Sequence, residues 1–79
     1  DRVPVNVGRL DAAFAEGDTV TLESLREKGV VSRRTEFVKI LGSGEITKKL
    51  TVQGLMVSEG AAKKIQAAGG TVEQAEVQG

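Results

Sequence analysis

The sequence predicts a small α/β domain, an irregular stack of β-β-α units whose short strands alternate with short helices. Three observations lead there. At 79 residues the chain is long enough for one domain and no more, so residues 1–79 are expected to form a single unit. Strand-like and helix-like periodicities alternate along it, the order expected of layered α/β folds. Every periodic segment is short, which favours an irregular stack over a regular doubly wound sheet.

Val3, Val5 and Val7 alternate with Pro4 and Asn6, the pattern of a strand with one buried face, ended by Gly8. Pro4 cannot donate to a ladder, so the strand is expected at an edge or to be irregular. Leu10, Ala13 and Phe14 follow at helical spacing, with Gly17 as a candidate C-cap. Thr21 is placed to cap a second helix over residues 22–28, which Gly29 stops. Phe37 to Leu41 is rich in strand formers and runs into Gly42-Ser43-Gly44, read as a hairpin turn, with one of the two glycines expected at positive φ. Leu50 and Val52 mark the returning strand. Ser58 opens the best helix, expected over residues 59–68, with Ala61, Ala62, Ile65 and Ala68 on its apolar side and Gly69-Gly70 as its stop. Val72 begins a last strand, and the residues after Gln74 are expected to fray. No internal sequence repeat is evident.

Composition narrows the chemistry. There is no Cys, His, Trp or Tyr, and Phe14 and Phe37 are the only aromatics. Thiolate and imidazole chemistry are therefore ruled out, and single-strand reading by base stacking has little to work with. No apolar run approaches the roughly 18 residues of a membrane span. Gly42-Ser43-Gly44 with Lys48-Lys49 superficially suggests a phosphate loop, but Glu45 stands where a Walker loop needs lysine, and Thr47 where a dinucleotide fingerprint needs glycine. A tight turn accounts for the glycines better. Glu36 and Glu45 flank that turn, but nothing nearby supplies an apolar pocket to perturb either carboxylate, so no catalytic residue, metal ligand or cofactor is assigned.

The zero net charge hides an asymmetry. Residues 1–25 carry two basic and five acidic side chains, residues 26–64 nine basic and four acidic, and Glu73 and Glu76 close the chain. Arg33, Arg34, Lys39, Lys48, Lys49, Lys63 and Lys64 form a candidate phosphate-contacting set, with Arg acting as a fork and Lys as a point charge. Scattered solvated charge is the competing account.

From Lys39 onward the chain resembles a known family. The residues are Lys39-Ile40-Leu41-Gly42-Ser43-Gly44-Glu45-Ile46, then Leu50-Thr51-Val52, Val57-Ser58, Ala61, Ile65 and Gly69-Gly70. Val5-Asn6-Val7-Gly8 with Leu10, and Val20-Thr21 with Ser24-Leu25 and Lys28-Gly29, extend the likeness. The ordered set is similar to the C-terminal domain of the bacterial ribosomal proteins numbered fifteen in the large subunit, a superfamily shared with archaeal and eukaryotic relatives numbered eighteen-e. Gly54-Leu55-Met56 departs from the usual pattern. The resemblance implies a structural, non-enzymatic role on the cytoplasmic ribosome, with large-subunit rRNA and neighbouring ribosomal proteins as partners and support of subunit assembly. It also implies a basic, glycine-rich N-terminal extension, expected upstream of Asp1 and absent here. In isolation the domain is expected to be a monomer away from membranes. An alternative role is a protein-interaction module whose RNA binding resides in that extension.

Because the glycine turn is read as structural, added ATP or GTP is expected to leave the thermal midpoint unchanged. A glycine-dependent rise in a melting series overturns that reading.

Overall fold

A computed structural model describes residues 2–79 and shows the chain winding as a coil between two parallel sheets. The elements are β1 (Val3–Asn6), α1 (Val7–Ala13), β2 (Thr19–Val20), α2 (Leu22–Glu27), β3 (Val38–Leu41), β4 (Thr51–Gln53), β5 (Met56–Ser58), α3 (Glu59–Ala67), β6 (Thr71–Glu73) and β7 (Glu76–Gln78). Odd-numbered strands form one sheet in the order β1-β3-β5-β7, and even-numbered strands form the other in the order β2-β4-β6. Every pairing is parallel. The mixed α/β class is as expected, and β1 carries Pro4 at a sheet edge.

The coil stacks like residues on like. Val5, Ile40, Val57 and Val77 are successive register partners in the first sheet. Val20, Val52 and Val72 do the same in the second. Ile40, Val52 and Val57 have no solvent exposure, whereas Val77, at the open end of its ladder, is 48% exposed. Leu10, Leu25, Leu50 and Ile65 fill the space between the layers and are fully buried. β-branched residues suit the half-buried pleat, and the aliphatic core follows from the lack of aromatics.

Several local expectations need correction. Gly42-Ser43-Gly44 is not a hairpin, because β3 and β4 lie in different sheets and never pair. Glu36 and Glu45 consequently do not flank one turn. Val7 does not end a strand; it opens α1, and Gly8 lies inside that helix. The C-cap of α1 is Phe14, while Gly17 sits beyond it at φ +88°. The tail does not fray after Gln74, because β7 pairs with β5. β2, β5 and β7, two or three residues long, lie outside the strands expected from the sequence. The caps fare better. Thr21 and Ser24 form a reciprocal capping box on α2, and Ser58 Oγ accepts the Ala61 N–H at 3.1 Å.

Two glycines are required by contact. Gly44 has φ +88°, and a Cβ there would sit 2.9 Å from Gly8 Cα. At Gly70 a Cβ would clash with the Leu50 carbonyl oxygen. By contrast, Gly60 lies within α3 with nothing near its missing Cβ. Gly60→Ala should therefore stabilise by about 0.5–1 kcal/mol through helix propensity. Gly70→Ala should destabilise by about 2 kcal/mol or more, because backbone has to move. Urea denaturation midpoints of the two variants should shift in opposite directions.

Candidate nucleic-acid interface

The coil has two kinds of connection. Residues 7–18, 42–50 and 59–70 lead from the first sheet to the second, and carry α1 and α3. Residues 21–37, 54–55 and 74–75 lead back, and carry α2. The basic residues singled out in the sequence divide between them. Arg33 and Arg34 lie on the returning side; Lys48, Lys49, Lys63 and Lys64 lie on the α1–α3 side. Lys39 lies within β3, between Pro4 and Met56 on its neighbouring strands. The structure does not bring the seven into one patch.

Arg33 and Arg34 occupy the tip of a turn from Ser32 to Thr35. The Thr35 N–H donates to the Ser32 carbonyl at 3.1 Å, and the two side-chain hydroxyls meet at 3.0 Å. The Arg26 guanidinium holds the turn from α2, donating through Nε and Nη2 to the Thr35 carbonyl, the first at 3.0 Å. Both tip arginines are exposed. A clamped turn with two exposed guanidiniums suits forked contact with phosphate oxygens. Arg26 was not legible as a supporting residue, because its acceptor is a backbone carbonyl nine positions away.

Two of the lysines do structural work. Lys48 Nζ donates to the carbonyls of Asp11 and Phe14 at 2.6 and 2.8 Å, where α1 ends. Lys64 Nζ donates to the carbonyls of Gly42 and Gly44 at 2.7 and 2.8 Å. Lys64 thereby fastens the glycine strap, which lies against two helices: Gly8 N–H donates to Ser43 O at 3.1 Å, and a Cβ on Gly42 would sit 3.1 Å from Ala61 N. The Gly8 N–H and the Lys64 ammonium, donors that a phosphate loop would direct at its ligand, are here bonded to backbone carbonyls. Lys49 and Lys63 remain exposed, with the Lys49 stem against Gly69.

Asp11 organises the same side. Its Oδ1 accepts the N–H groups of Thr47 and Lys48, both at 3.0 Å, and its Oδ2 accepts the Thr47 hydroxyl at 3.2 Å. The backbone bond from Thr47, then that from Lys48, holds the carboxyl below the ordinary carboxylate range. Glu16 adds a tether, accepting the Lys49 N–H at 2.8 Å. No sequence signal links Asp11 to residues 36 positions downstream.

Among the described residues, no group of three or more acidic, imidazole or thiol side chains could hold a metal ion. Among the described residues, no helix is long and apolar enough to cross a membrane.

Because folding depresses the Asp11 pKa, its contribution to stability is present above its unfolded value, near 3.8, and is lost as pH falls through the lower folded value. Asp11→Asn should lower the urea midpoint at neutral pH. The gap from the parent should close in a pH series taken below that range.

The family that unites the ribosomal proteins 50S-L15 and 50S-L18e with the 60S protein numbered twenty-seven-A matches residues 4–73. A large ribosomal subunit protein uL15 from Treponema denticola is 46% identical over 72 residues, which cover 91% of this chain and 48% of the relative. The protein of that name from Treponema pallidum is 50% identical over 74 residues, covering 94% and 48%. That from Lachnoclostridium phytofermentans is 52% identical over 71 residues, covering 90% and 48%. The chain spans about half the length of the curated relatives it matches.

Proposed function

We propose a function on one premise: the chain belongs to the ribosomal protein family of 50S-L15, 50S-L18e and their 60S counterpart. On that premise it is a structural part of the large ribosomal subunit in the cytoplasm, a single domain that supports assembly by contacting rRNA and neighbouring proteins. The family match over residues 4–73 carries this reading. The role is architectural rather than catalytic, and the isolated chain is a monomer.

The RNA-facing groups proposed are Arg33 and Arg34 on the clamped turn, with Lys39, Lys49 and Lys63 as further phosphate contacts. Lys48 and Lys64 contribute indirectly, by holding the backbone that presents their neighbours. The fold argues for shape and phosphate contact over base reading, because Phe14 is buried and Phe37 is a lone exposed ring.

The split of the cations sets the expected affinity. A rigid duplex meeting one side of the coil reaches about two or three of them, giving a slope of log affinity against log salt of about −2 to −3. Binding should be no tighter than about 10⁻⁴ to 10⁻⁵ M near physiological salt. Fluorescence anisotropy with a structured rRNA fragment over a salt series measures both quantities. Paired Arg33→Glu and Arg34→Glu should abolish most of the binding without shifting the thermal midpoint. Nanomolar binding that survives high salt, or indifference to the arginine changes, overturns this assignment of the surface.

A further inference from the structure

Phe37 is 62% exposed, against 2% for Phe14, although its backbone is fixed: its carbonyl accepts the Val3 N–H at 2.8 Å as β3 begins. The ring stands at a cleft of about 300 Å³ that Leu22, Val38, Leu55 and Met56 also line. An aromatic held at the mouth of an apolar cleft by ordered backbone is a preorganised anchor. Two carboxylates, Glu36 and Glu76, line the same cleft with the single cation Arg2. The candidate phosphate contacts Arg33 and Arg34 do not line it.

We propose that this cleft docks a segment of a neighbouring protein that carries an apolar anchor flanked by Lys or Arg. The apolar side chain packs on Phe37 and Met56, and the flanking cations face Glu36 and Glu76. Charge decides the class of occupant. A phosphate backbone brought to the cleft meets two carboxylates, whereas basic peptide is drawn to them. A second copy docked on the same cleft would bring together four carboxylates and only two arginines, a net like-charge repulsion. The open size suits one or two large side chains. The inference rests on the proposed ribosomal role only in expecting a protein neighbour; its residues are separate from the RNA-facing set.

The test is a titration of the isotope-labelled 79-residue chain, followed by amide NMR shifts, with the synthetic peptide Lys-Leu-Lys-Phe-Lys. Controls are its acidic counterpart Glu-Leu-Glu-Phe-Glu, the apolar-free Lys-Ser-Lys-Ser-Lys, and the rRNA fragment. Shifts are expected at Phe37, Leu55, Met56 and Glu76 with the first peptide alone. Phe37→Ala should weaken binding at least about tenfold, the loss typical of an interface anchor, while leaving the thermal midpoint unchanged because the ring is exposed. Glu36→Gln with Glu76→Gln should weaken it about two- to fivefold, and more at low salt. Equal response to the acidic peptide, shifts of these amides by RNA, concentration-dependent shifts without peptide, or binding indifferent to Phe37→Ala each overturn the proposal. RNA binding by the parent chain with no response to the first peptide overturns this inference alone, whereas peptide binding without RNA binding overturns the RNA-facing reading alone.

Discussion

The architecture depends on a close approach of backbones at Gly42–Gly44. Parallel strands cannot be joined by hairpins, so each strand must be reached by crossing to the other sheet. The crossing from β3 to β4 passes between the first turns of α1 and α3, where a Cβ on Gly42 would meet Gly60 and Ala61 and one on Gly44 would meet Gly8. Only glycine leaves room for the strap there. Lys64 seals it by bonding the carbonyls of Gly42 and Gly44, and Lys48 and Asp11 fix the following residues to the end of α1. A motif that superficially suggests phosphate binding is thus consumed in holding the coil together.

That arrangement explains how a domain with so few aromatics closes a core. The strands are too short for an extended sheet, but the coil repeats the same registers, so Val and Ile stack in continuous ladders. Each turn buries the side chains of the turn beneath. Carboxylates and ammoniums then satisfy the backbone at the crossings, and among the described residues no buried side-chain polar atom lacks a partner. Charge in this domain is spent partly on architecture, and less of it is free for a ligand than the residue count suggests.

What remains free is divided by sign and by place. The turn at Arg33 and Arg34 offers cations, and the Phe37 cleft offers apolar surface with carboxylates. The proposed RNA-facing turn and the proposed peptide cleft are thus separate faces of the domain. That is consistent with a family whose named relatives are large-subunit ribosomal proteins about twice the length of this chain.

The sequence by itself determined the mixed α/β class, the three helices, the β3 strand, the caps at Thr21 and Ser58, and the family. Each is written in contiguous residues, where periodicity and capping act within a few positions. It could not decide which strands pair. β2, β5 and β7 are two or three residues long and exist because neighbours in the coil supply their hydrogen bonds. Nor could it separate Lys48 and Lys64, which bond backbone carbonyls, from Lys49 and Lys63, which stay exposed. Adjacent lysines look alike in one dimension. Only the tertiary structure decides between them, because their acceptors lie 20 to 37 residues away along the chain and come within reach when the coil closes.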